Sequence, residues 1–156
     1  MKTKDEDNCL TSLCHCWLQL YRGGTASTLD ELIIQLNQMS ERFGGYTTKT
    51  YNILALALIE KQDFDRALKI FENALSELAL DTEAGQDKHL TAGNQDLACL
   101  LHNYIKCRAI RFGFAEDKTI RQLMAYLEKM ESPVLGQLMT ERSEAEAMFD
   151  QAVKTM

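Results

Sequence analysis

The chain has 156 residues, 46% of them hydrophobic, and its 23 acidic and 17 basic side chains leave a net charge of −6. That is enough apolar material for one core in a single domain over 1–156. The acidic balance disfavours non-specific attraction to nucleic acid or to an anionic membrane surface. The charged start, MKTKDEDNCL, leads into no apolar stretch of signal-peptide length. No uninterrupted apolar run approaches the ~20 residues of a membrane span. Five cysteines without a secretion signal read as reduced thiols in a cytoplasmic protein. The single proline favours an all-α fold, because helices tolerate proline badly whereas β-proteins use it at turns.

After a flexible stretch over 1–8, Leu10, Leu13, Trp17, Leu20 and Tyr21 recur at helical spacing, and Gly23-Gly24 stops that helix. In STLDEL, Thr28 followed three residues later by Glu31 has the form of a capping box and predicts the start of a second helix. Its stripe is Leu29, Leu32, Ile33, Leu36, Met39 and Phe43, and Gly44-Gly45 ends it. A third helix is predicted from about Thr48 to Lys61 and a fourth from about Phe64 to Leu78. The polar stretch 81–93 lacks a stripe and reads as a surface loop. A long helix follows from about Asn94 to Arg111, with Leu97, Leu101, Tyr104 and Ile105 inward and Gly113 closing it. Ile120, Leu123, Met124, Leu127 and Met130 mark a sixth helix. Ser132-Pro133, a cap followed by proline at the first helical position, opens a seventh over 133–156 that would cap the C-terminal end. Its stripe is Leu135, Leu138, Met139, Met148, Phe149, Ala152 and Val153. About seven helices with mostly short links must pack as antiparallel neighbours.

The stretch from Thr50 to Leu75 holds Tyr51, Leu54, Ala55 and Leu58, then Ala67 and Phe71. It resembles one tetratricopeptide repeat, at about 48–81, with an aromatic, a Leu-Ala pair, a bulky residue and then A-x3-F. Ala55 and Ala67 are small where two helices would cross, and Ala74 lies where the family uses a small residue against the next repeat. The resemblance implies helical hairpins stacked as a short right-handed superhelix, the outer pairs being degenerate repeats. The function it implies is protein–protein interaction, with a partner's peptide or helix held in a concave groove. Such a chain would be an adaptor, a client-specific chaperone or a regulatory subunit, with no cofactor. On the first helix of the pair, Lys49, Asn52, Leu56 and Glu60 would line that groove, with His102, Asn103 and Lys106 as counterparts. Pairing of two copies through the end helices is a further option.

Two alternatives compete. TYN opening a helix, followed by ALKIF, also resembles a pentatricopeptide repeat, which would make Asn52 a reader of single-stranded RNA. Ala74 stands where that family has methionine, and base-by-base reading needs several good repeats in tandem. The other alternative is a metal or thiol enzyme built on cysteine and histidine. Cys9, Cys14, His15 and Cys16 fall within eight residues, but their spacing suits neither a zinc site nor a redox C-x-x-C. Cys99 and His102 lie one turn apart and could be half of a metal site completed by Cys107 or His89; packing is the simpler role. There is no phosphate-binding glycine loop, no G-x-S-x-G and no H-E-x-x-H, so the reading is that the chain is not an enzyme.

Overall fold

The computed structural model describes residues 9–77, 94–113 and 117–155. The predicted flexible start (1–8) and surface loop (81–93) lie outside the described residues. The described residues form seven helices: α1 (Cys9–Tyr21), α2 (Ala26–Phe43), α3 (Thr48–Glu60), α4 (Phe64–Glu77), α5 (Gln95–Phe112), α6 (Lys118–Lys129) and α7 (Pro133–Thr155). The described residues contain no strand, so the fold is all-α, of the helical-repeat kind. The chain gathers into two compact units, Met1–Gln86 and Asp87–Met156.

In the first unit α3 is the central helix, packed on α4, α2 and α1. Tyr51, Leu54, Ala55 and Leu58 on α3, and Ala67, Phe71 and Ala74 on α4, are all buried. The residues that carry the repeat signature are therefore the residues of the core. Ala55, Ala67 and Phe71 are fully buried, on two helices that pack together. Leu29, Leu32, Ile33, Leu36 and Met39 of α2 close the core, while Phe43 at the helix end is exposed.

Helix α1 departs from expectation. Its buried residue is Cys16, with Leu13 and Leu20 half-buried, whereas Leu10, Trp17 and Tyr21 stand in solvent. The residues read as one stripe split between two faces, because a thiol serves as the small core side chain.

The start of α2 also differs. Its cap is Thr25, whose hydroxyl accepts the Thr28 amide at 3.4 Å, so Thr28 lies inside the first turn. At its other end Gly44 has φ 82°, and the Gly45 amide donates to the Ser40 carbonyl at 2.8 Å. This closure needs a left-handed residue, hence glycine. Helix α3 carries a reciprocal cap, Thr47 with Thr50, in which threonine replaces the usual glutamate.

The second unit packs α5 against α6 and α7, with α6 and α7 also in contact. Leu97, Leu101, Tyr104 and Ile105 are buried as predicted, joined by Ala98, Leu100 and Cys107. Ile120, Leu123, Leu127 and Met130 come from α6 and Leu138 from α7; Met139 and Met148 are exposed. Asp117 caps α6, accepting the Thr119 amide at 2.8 Å, and receives Arg108 at 2.7 Å.

Two turns share one geometry. Between α3 and α4, Gln62 takes φ 61°, and the Asp63 amide donates back to the Leu58 carbonyl at 2.9 Å. Between α6 and α7, Glu131 takes φ 50°, and the Ser132 amide donates back to Leu127 at 3.2 Å. In both, a left-handed residue is followed at once by a side chain that caps the next helix: Asp63 accepts the Arg66 amide and Ser132 the Val134 amide.

Candidate partner-binding surfaces

Lys49, Asn52, Leu56 and Glu60 lie in the first unit, and His102, Asn103 and Lys106 in the second. Lys49 and Glu60 are exposed, while Leu56, Asn103 and Lys106 are intermediate. Asn52 is only 5% exposed and His102 only 8%. Here the structure differs from the reading that put both at a groove. Helix α3 packs on three neighbours of its own unit, so the stripe opposite Tyr51 and Leu54 does not remain wet along its whole length. Asn52 is an internal polar side chain, and it makes its own polar contact.

His102 sits beside an ion pair, Lys106 Nζ to Glu141 Oε2 at 2.7 Å, which joins α5 to α7. Its Nδ1 is buried without a hydrogen-bond partner. Burial first, and then the Lys106 charge, push the imidazole below its ordinary range, with Glu141 opposing. The native state therefore takes up this proton at a lower pH than the unfolded chain, whose imidazole titrates near pH 6.5. Stability is complete above that value and falls on acidification below it. His102→Gln should flatten the stability–pH curve below the unfolded value of about 6.5, measured by urea unfolding through acidification; an unchanged slope would mean that folding does not shift the His102 imidazole.

The cysteine-rich stretch of α1 disperses. Cys16 points inward, its thiol pushed up by burial, while Cys14 and His15 are exposed. Cys99 is exposed and Cys107 buried. Among the described residues, no group of three or more His, Cys, Asp or Glu is placed to hold a metal ion.

Among the described residues, a cleft of about 580 Å³ lies between α1 and α2. Its polar wall is Thr11, Ser12, His15, Gln35 and Gln38, and Met39, Phe43 and Cys16 supply the apolar part. Arg42 stands at the rim, 5.5 Å from the centre of the Phe43 ring. No carboxylate lines the cleft among the described residues, so in a chain of net charge −6 the charged side chain on its walls is Arg42. The sequence reading did not single out this set. The only available signal was the run of amides and Arg42 along one face of α2, and nothing in one helix shows how a second will flank it.

No curated protein and no solved structure matches the chain significantly. The model of one family, described as the coatomer epsilon subunit, matches residues 1–96. The match takes in α1 to α4, including the cleft and the packed hairpin of α3 and α4, and by its extent over the chain it fixes the affiliation: this protein belongs to the coatomer epsilon subunit family.

Proposed function

We propose that the chain is a non-enzymatic protein-interaction subunit of a coat-type assembly, working in the cytoplasm, that holds a segment of a partner protein in the α1–α2 cleft. The observation that carries this reading is the chemistry of the cleft. Gln38 offers a donor and an acceptor to a peptide backbone, and Gln35, whose Oε1 accepts the Cys16 thiol at 4.0 Å, offers its amide N–H groups. Met39 and Phe43 offer an adaptable apolar floor, and Arg42 offers a charge-assisted contact to a carboxylate. Family membership supports the same reading, since a coat subunit acts through its neighbours.

The exposed members of the α3 stripe, Lys49 and Glu60, with half-buried Leu56, would extend the contact. Stacking in the tetratricopeptide manner is part of the proposal and is supported by the buried signature residues of α3 and α4. No helix of the described residues is long and apolar enough to cross a membrane. The burial of Asn52 weighs against the RNA alternative.

Arg42→Glu tests the proposal. Arg42 is exposed but is the last-turn cation of α2 and lies over Phe43, so melting should fall only slightly, while recovery of the native assembly with tagged chain should fall by roughly tenfold or more, because reversing a rim charge sets like against like. Full recovery of the same partners by the variant would remove the cleft from the binding site.

A further inference from the structure

We infer that the outward face of α1 is a contact between two copies of this chain, packed antiparallel about a two-fold axis. This face is separate from the cleft, which lies on the flank of α1 carrying Thr11 and His15.

Leu10, Cys14, Trp17 and Tyr21 follow one another at spacings of four, three and four residues along α1, the spacing of a seam that receives another helix. All are exposed, Leu10 at 67%, Trp17 at 39% and Tyr21 at 90%, with Leu18 beside them at 52%. Helix α1 is also the only one of the seven described helices without an Asp, Glu, Lys or Arg. A surface helix ordinarily carries charge on its solvent side, and one without any is built to be covered.

A second copy is the occupant for three reasons. The chain carries a net charge of −6, so two copies repel in general; a charge-free helix is where they can meet without setting like charges together. The sizes also suit self-pairing. With the axis between Cys14 and Trp17, Leu10 meets Tyr21 of the other copy and Cys14 meets Trp17, so each large ring faces a smaller side chain, as an isologous contact requires. The area is adequate too. The exposed parts of Leu10, Trp17, Leu18 and Tyr21 amount to on the order of 500 Å² per copy, at the upper end for the largest apolar patch of a monomer. Two such faces reach the roughly 1,000 Å² at which an interface becomes specific.

The test uses the purified full chain. Sedimentation equilibrium over a concentration series should show a monomer–dimer equilibrium with Kd on the order of 1–10 μM, as suits an interface of minimal size. Tyr21→Glu should abolish the dimer, and Trp17→Ala should weaken it roughly 30-fold. Tyr21 is almost fully exposed, so its variant should keep the helicity and melting of the parent. In this register the two Cys14 positions lie about 4.5 Å apart along the axis and roughly 8–10 Å across it, within reach of a short bis-maleimide. Cross-linking should vanish in Cys14→Ser and persist in Cys99→Ser. A monomer at every concentration would overturn the inference, as would a dimer indifferent to Tyr21→Glu or one cross-linked through Cys99. Because Arg42→Glu reports on the cleft alone, a monomeric result here would leave the proposed function standing.

Discussion

Phe71→Ala should cost the first unit about 3–5 kcal/mol, the range for removing a large side chain from a site that cannot collapse. Phe71 is 0% exposed and is flanked on its own helix by Ala67 and Ala74, also fully buried. Alanine has no atoms with which to fill the void that remains, and a close-packed interior relaxes only in part around it. Domains of this size are held by only about 5–15 kcal/mol, so the variant should be partly unfolded at body temperature. Hydrogen exchange would show where the loss falls: amides of α3 and α4 should lose protection first. A loss under about 1 kcal/mol would mean that Phe71 is not the keystone of the hairpin.

Asp117→Asn should cost the second unit about 2–4 kcal/mol at neutral pH, chiefly by unpairing Arg108. Asparagine is as good a helix cap as aspartate, so the substitution separates the charge from the cap. Arg108 and Asp117 are only 17% and 10% exposed, and their charged atoms meet at 2.7 Å. Burial by itself would raise the Asp117 carboxyl, but the Arg108 guanidinium and the Ile120 and Thr119 amides outweigh it and hold the carboxyl below its ordinary value. A depressed carboxylate contributes stability that is complete above the unfolded value of about 3.9 and is lost as pH falls through the folded one. Wild type should therefore show an acid limb below about pH 4 that Asp117→Asn lacks, while keeping the His102 limb above it. Thermal melts from pH 2 to 7, read on both proteins, separate the two groups. Equal acid limbs would mean that the ion pair is not formed in solution.

The sequence was most legible where one helix decides its own fate. The stripes of α2, α5 and α6 can be read from the spacing of leucine and isoleucine, and the α3–α4 signature names its buried residues because small and large side chains alternate there at a close crossing. Helix α1 misleads for a physical reason: both of its faces are apolar, so periodicity cannot say which one meets α2 and α3, and the inward choice fell on Cys16. Asn52 and His102 show a second limit. A polar residue opposite the packing side stays wet only if one side packs, whereas α3, with Asn52, meets three helices, and α5, with His102, meets both α6 and α7. The cleft was beyond reach because its walls come from two helices whose lateral offset no single-helix pattern encodes. The cap of α2 was misplaced by three residues because Thr25 and Thr28 can both accept an amide, and the glutamate after Thr28 favoured the wrong one.

The two matching turns, at Gln62 and Glu131, bear on how the chain is made. Each joins a pair of helices through a link of very few residues, so the entropy of bringing the pair together is small. Such local helical pairs settle in microseconds to milliseconds, whereas a ribosome adds only about 5–20 residues per second. The α3–α4 pair can therefore be packed before α5 exists. The buried Phe71 is then covered during synthesis and does not wait, exposed, for the end of the chain.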